Sequence, residues 1–305
     1  MTSALTIGGA VERIAEELDG GGLCFAHGAD TAESEALLLV LGGLGLPLDP
    51  ARVDADRELS AVERERIRGL LQRRLEERVP AAYLVGRAAF AGLEFIADPR
   101  ALVPRSPIAE LIVSGFAPWL DAGRLERVLD MCTGGGCIAV ATAVHLPHVR
   151  VDAVDLSEEA LALAAENVRL HGVGDRARLI RSDLFDALEG ERYDLILANP
   201  PYVSREEFET LPPEHAHEPA AGLVAGRAGM ATMLRLLRET PRHLDPGGRI
   251  IGEVGHSRAE LEALLPGVEW IWPALEHGGE GVFLLEGPAV RAAATGAEAV
   301  LRGKE

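Results

Sequence analysis

The sequence lacks most of what marks a secreted, membrane-bound or nucleic-acid-binding protein. Its three cysteines, Cys24, Cys132 and Cys137, are an odd count without histidine at metal-type spacing, which argues against a disulfide framework and against a metal site. A reducing, cytoplasmic setting fits that usage. No uncharged apolar run reaches the roughly 18 residues of a membrane helix, and the opening MTSALTIGGAVERIAEELDGGG lacks the basic start and apolar core of an export signal. Basic residues are scarce as well: 30 Lys and Arg face 48 Asp and Glu, for a net charge of −18. Such a field repels a phosphate backbone and favours a basic protein partner. Internal repeats and low-complexity tracts are absent too.

What is present is enough for a core. The 305 residues are 48% hydrophobic, sufficient for one large domain and a smaller one. Residues 1–85 place apolar side chains at helical spacing in TIGGAVERIAEEL, TAESEALLLVLGGL and SAVERERIRGLLQRRLEERV, which predicts a small helical domain. The charges of the third stretch recur at i, i+3 and i+4, as on a solvated, ion-paired face. Residues 86–104 alternate apolar and polar residues, which predicts a linking β-hairpin. From 105 to 288, the strand-like RVLDMC, VRVDAVDL, ARLIRSDL, YDLILANPP and GRIIGEVG alternate with helical stretches. That order predicts an α/β fold, a doubly wound, mostly parallel sheet. VEWIWPAL and GVFLLEG, separated only by EHGGE, predict a terminal antiparallel hairpin. Residues 289–305 are expected to be a flexible tail.

Two places in this pattern carry chemistry. The first is DMCTGGGCIA, residues 130–139, a glycine-rich turn between strand and helix. Gly134 and Gly136 suit close approach of a ligand to the backbone, and Asp155, at the end of the next strand, suits a ribose diol. A nicotinamide cofactor would fit this much. Asp130, however, precedes the loop where it would repel a pyrophosphate and attract an ammonium. Asp183 in IRSDLF is placed for an adenine amino group, with Leu184 and Phe185 to pack on the ring. Acids after three successive strands, and no Lys or Arg in the loop, describe a cationic ligand that contains adenosine. S-adenosylmethionine fits better than NAD. Structural readings stay open: Asp130 as a helix cap, Asp155 before the N-cap of SEEALALAAENV, and Asp183 as a turn residue.

The second place is DLILANPPYV, residues 194–203. A buried strand ends in Asn199, Pro200, Pro201 and Tyr202, and two prolines cannot continue a ladder. An amide, free carbonyls and a phenol thus gather at a strand's carboxyl end, where open α/β sheets bind ligands.

With these residues assembled, the sequence resembles the N(5)-glutamine methyltransferases of the HemK/Prm group over nearly its whole length. Within that group it is similar to the branch that acts on the third large-subunit ribosomal protein (L-three), on LVPRSPIAELI at 102–112, CTGGGCIA at 132–139, HGADTAESEALLLV at 27–40, and EVGHS followed by GGEGVFLLE. It departs at Gly135, where the group commonly has serine. The resemblance implies a Rossmann-like S-adenosylmethionine-dependent methyltransferase domain behind a helical substrate-recognition domain. It implies that Asn199 and the Pro200 carbonyl accept hydrogen bonds from a glutamine NH2, that Tyr202 stacks on the amide, and that Pro201 stiffens the turn. It assigns the cofactor to Asp130, Cys132, Thr133, Gly134, Gly136, Asp155, Leu156, Ser182, Asp183, Leu184 and Asn199. Arg105, Glu218 and Pro219 are candidates for the substrate side, and Glu110 for the cofactor's amino group. His217 shares the long loop after the catalytic strand. Ser106 and Pro107 are expected to open the helix PIAELIVSGF.

The competing functions are methylation of a release factor, methylation of an adenine amino group in nucleic acid, a nicotinamide dehydrogenase, and a non-catalytic ribosome-assembly factor. No membrane partner and no direct nucleic-acid substrate are expected.

Overall fold

The structure is a computed structural model that describes residues 5–225, 229–276, 278–279 and 281–303. The chain divides into two compact units, 1–105 with 212–218, and 106–211 with 219–305.

The first unit contains α1 (Ile7–Asp19), α2 (Ala32–Leu44), α3 (Ala61–Glu77) and α4 (Ala81–Val85), then β1 (Arg87–Phe90) and β2 (Leu93–Ile96). Each long helix starts at a hydroxyl that satisfies a free backbone N–H. Thr6 accepts from Gly9, while Thr31 with Ser34 and Ser60 with Glu63 form capping boxes. Ile14, Leu18, Leu39, Val40, Ile67 and Leu71 bury the shared core. β1 and β2 form the expected antiparallel hairpin, with Arg87 opposite Ile96.

Not all of the charge on α3 is solvated. Arg68–Glu65 and Arg73–Glu77 are exposed, as the spacing predicts, but Arg74 is only 1% exposed and binds Glu35 and Glu214. Sequence periodicity has no signal for that partner, because Glu214 arrives from a segment 140 residues away.

The second unit runs through α5 (Ile108–Val113), β3 (Arg127–Met131), α6 (Cys137–His145), β4 (Arg150–Asp155), α7 (Glu158–Leu170), β5 (Ala177–Arg181) and β6 (Tyr193–Ala198). It continues with α8 (Arg205–Phe208), α9 (Ala220–Leu223), α10 (Ala231–His243), β7 (Leu244–Glu253), α11 (Arg258–Leu264), β8 (Val282–Glu286) and α12 (Gly287–Arg302). Its sheet has the order β5-β4-β3-β6-β7-β8, parallel except for β8, which pairs antiparallel with β7. The fold is therefore the doubly wound α/β sheet that the alternation predicts, and order reverses between β3 and β6.

Two expectations change. The return strand β8 is antiparallel, but 268–274 adds only a bridge from Ile271 to Leu284; His277 and Glu280 of the intervening EHGGE lie outside the described residues. Residues 289–302, expected as a flexible tail, belong to α12 and bury Val290, Ala293 and Ala297 in the core beneath the sheet. Alanine-rich helices carry a weak apolar stripe, and here that stripe meets the α10 side chains Met233, Leu234 and Leu237 in one core cluster.

Candidate active site

The reversal of strand order leaves a crevice at the carboxyl ends of β3 and β6, and the polar residues collect there. β3 and β6 are in register, with Asp130 opposite Leu197 and Met131 opposite Ala198. The glycine turn after β3 and the Asn199 turn after β6 are therefore neighbours.

Asp130 is fully buried and organises its own turn. Its Oδ2 accepts from the Thr133 hydroxyl and from Ala139 N–H at 3.0 Å, so it does cap α6. Its Oδ1 is buried with no hydrogen-bond partner among the described residues. Burial pushes the carboxyl up to about 7, against those two hydrogen bonds. Cys132 adopts φ of 62°, and Gly134 and Gly136 lie at 55° and 81°. At Gly136 a Cβ would stand 3.0 Å from the Ala164 Cβ, so this glycine lets α6 start against α7. Burial raises the Cys132 thiol pKa and keeps it protonated. Thr133 N–H donates to the Val154 carbonyl at 2.9 Å, and Asn167 Nδ2 on α7 donates to the Gly135 carbonyl at 2.9 Å. This asparagine brace has no signature in the sequence beyond its helical position.

Asp155 ends β4 and accepts from Gly134 N–H at 2.8 Å and Ser157 N–H at 2.9 Å. Burial raises its pKa against those bonds. Leu156 beside it is 60% exposed, an apolar side chain left open at the edge of the crevice. Ser182, after β5, accepts from Ala187 N–H at 2.9 Å.

Asp183 is paired with Arg235 of α10 at 2.9 Å, a partner the sequence reading missed. Leu184 and Phe185, expected to pack on an adenine ring, are 5% and 3% exposed core residues instead, and Phe185 stacks on His243 at 4.3 Å. The exposed apolar side chain at this edge is Leu156.

At the end of β6, Pro200 is buried and Asn199, Pro201 and Tyr202 are half-buried. Among the described residues, no hydrogen bond engages the Asn199 amide, which leaves it available to a ligand. Tyr202 donates to Glu253 Oε1 at 3.3 Å, and Ser106 donates to Glu253 Oε2 at 2.5 Å. Glu110 accepts from Glu276 N–H at 2.8 Å.

The substrate-side candidates divide between the two units. Arg105 and Glu218 both belong to the first unit, where Arg105 holds both Glu218 oxygens at 2.6 and 2.9 Å and Val103 N–H adds a third bond. His217 binds the Glu77 carbonyl at 2.9 Å. Pro219 begins the return to the second unit and precedes α9. His27, His215 and Glu218 bring donor atoms within 4.8 Å of one another. A dication there would meet a guanidinium and a carboxylate already neutralised, so the cluster reads as a buried ion pair rather than a metal site.

Comparison with known proteins identifies the family. A family model described as the methyltransferase small domain matches residues 112–215, and one described as the PrmC N-terminal domain matches 24–86. The chain is 51% identical to the ribosomal protein uL3 glutamine methyltransferase of Xanthomonas campestris pv. campestris over 266 residues, 87% of this chain and 86% of that protein. The chain belongs to the ribosomal protein uL3 glutamine methyltransferase family. Members from Bordetella pertussis and Neisseria meningitidis are 43% and 42% identical to this methyltransferase, over 88% and 87% of this chain and 90% and 87% of theirs. No helix among the described residues of the methyltransferase is long and apolar enough to cross a membrane.

Proposed function

We propose that the methyltransferase moves a methyl group from S-adenosylmethionine to the side-chain amide nitrogen of a glutamine in ribosomal protein uL3. The observation that carries this reading is the Asn199–Tyr202 turn at the carboxyl end of β6, next to a glycine turn flanked by Asp130 and Asp155. The site suits the cofactor on one point above all: Asp130 Oδ1 is a buried acceptor with no partner among the described residues, which an ammonium would supply. Asp155 would take the ribose hydroxyls, Leu156 would flank the adenine, and Asp183 would accept from its amino group. The bound cofactor supplies a methyl group already activated by sulfonium charge.

The protein's task is then to prepare a poor nucleophile. An amide nitrogen shares its lone pair with its carbonyl. Two acceptors, the Asn199 side-chain oxygen and the Pro200 carbonyl, would hold both of its protons and favour the pyramidal geometry of attack. Tyr202 would cover the flat amide and keep out water. No base is needed before attack, since the nitrogen sheds a proton readily once it is cationic. Alignment of nitrogen, methyl and sulfur is where most of the acceleration would arise, for which effective-molarity arguments allow ~7–11 kcal/mol.

The net charge of −18 suits a basic ribosomal protein and disfavours nucleic acid. The relatives' names favour uL3 over a release factor. The test is incubation with methyl-labelled S-adenosylmethionine and, separately, uL3, a release factor and bulk nucleic acid, with the label located by mass spectrometry. Label on a uL3 glutamine is expected. Label on the release factor alone would keep the chemistry and change the substrate, and label on nucleic acid would overturn the reading.

A further inference from the structure

Glu253 is the last residue of β7, and Gly252 before it lies opposite Ala198 on β6. Its carboxylate therefore stands beside the turn that Asn199 begins. The residue is 6% exposed, and a carboxylate so buried is costly unless hydrogen-bonded. Two of its bonds come from hydroxyls: Oε2 accepts from Ser106 at 2.5 Å and Oε1 from Tyr202 at 3.3 Å. The Ser106 oxygen also accepts from Ile108 N–H at 3.2 Å, so its single proton is committed to Glu253. A short hydroxyl-to-carboxylate bond of this kind is among the stronger hydrogen bonds in proteins.

The Tyr202 ring is confined on other sides as well. Gly255, with φ of 51°, lies so close that a Cβ there would stand 2.7 Å from Tyr202 Cε2. Gly281 in turn backs Gly255, since its own Cβ would fall 1.8 Å from the Gly255 carbonyl oxygen. His256 meets the ring edge-on, with centroids 6.4 Å apart at 83°. The prolines before Tyr202 stiffen the backbone but leave its ring a choice of rotamers, so something else has to select one. The hydrogen bond from the ring hydroxyl to Glu253 is placed to contribute to that selection.

We propose that Glu253 is a positioning residue for methyl transfer, fixing through the Tyr202 hydroxyl the plane of the ring that covers the acceptor amide, with Ser106 holding the carboxylate in place. This rests on the reading of Asn199–Tyr202 as the acceptor site. It extends the site to β7 and to the start of α5, which lie 147 residues apart in sequence.

A double-mutant cycle tests it. Glu253→Ala, Tyr202→Phe and the double variant are compared for kcat, for KM with respect to S-adenosylmethionine, and for melting temperature. Each single change is expected to lower kcat about tenfold and leave that KM unchanged, and the double variant is expected to be no slower than either, because both remove one interaction. Glu253→Gln keeps an acceptor oxygen and is expected to stay within about threefold of the parent in kcat. Multiplying effects, near a hundredfold in the double variant, would show that Glu253 acts by another route. Unchanged kcat in Glu253→Ala would also overturn the proposal. Should Glu253→Ala fail to fold, Ser106→Ala takes its place: a fall in kcat that vanishes in the Tyr202→Phe background supports the tether, and one that persists refutes it. Asn199→Ala, assayed in parallel, separates the two layers. Activity retained there would remove the acceptor-site reading itself, whereas an inactive Asn199→Ala with a multiplying cycle would remove only the role of Glu253.

Discussion

Arg235 Nη2 donates to Asp183 Oδ2 at 2.9 Å, so the acid that follows β5 is already paired within the protein. Both side chains are about two-fifths exposed, at 40% and 43%, and a pair so wet contributes about 0–1 kcal/mol to stability. The pair is thus weak enough for Asp183 to exchange a guanidinium for an adenine amino group. Asp183→Ala is expected to weaken S-adenosylmethionine binding in calorimetry, while Arg235→Ala leaves it unchanged or tighter. Weaker binding in Arg235→Ala would mean that the arginine, not the acid, meets the cofactor.

On the proposed reading Asp155 would have a double task, since its oxygens bind Gly134 and Ser157 N–H and each oxygen retains a lone pair that a ribose hydroxyl could use. Asp155→Ala should cost about 1–3 kcal/mol of cofactor affinity, the penalty of leaving such groups unpaired. Unaltered affinity by calorimetry would place the ribose elsewhere.

Asn199 should separate binding from chemistry. Its amide bonds to no described residue of the protein, so Asn199→Ala is expected to abolish methylation while cofactor affinity stays within a few-fold and melting temperature barely moves. Single-turnover assays beside calorimetry read both quantities. An active variant would refute the acceptor role.

Glu218 makes stability depend on pH in the acid range. Burial alone would raise its pKa, but the His27 ring 3.4 Å away and the Arg105 guanidinium hold it at about 2, against an ordinary 4.5. The unfolded chain therefore takes up a proton at a higher pH than the folded protein does. The resulting stabilisation, roughly 3 kcal/mol, is complete above about pH 5 and disappears as pH falls toward 2. Urea midpoints of the parent and of Glu218→Gln should differ most near neutrality and converge as pH falls from 5 to 2. A gap that stays constant over that window would show that the ion pair does not carry the dependence.

Much of the fold was legible because it is written in short-range pattern. The apolar run Leu195–Ala198 followed by Asn199, Pro200 and Pro201 reads as a buried strand that stops at the carboxyl ends of the sheet, and it forms the central strand β6. The three- and four-residue apolar spacing within 1–85 announced its helices, and the alternation after residue 105 announced a parallel sheet. The acids Asp130, Asp155 and Asp183 stand at or just beyond the ends of three successive strands, so strand ends located by periodicity also located them. Leu184 and Phe185 misled for the same reason: their type suits a ring, but whether a side chain after β5 turns to the crevice or to the core is settled by what packs against it, here His243.

The sequence by itself determined the strand–helix order, the glycine turn and the Asn199–Tyr202 stop, since each depends on residues within a few positions of one another. Only the tertiary structure decided that α12 is part of the core, that 212–218 belongs with the helical unit through Glu214 and Glu218, and that Arg235 answers Asp183 while Ser106 and Tyr202 answer Glu253. These are pairings of charge and hydroxyl across 50 to nearly 150 residues. They leave no periodic trace because burial and hydrogen bonding select partners in space, not along the chain.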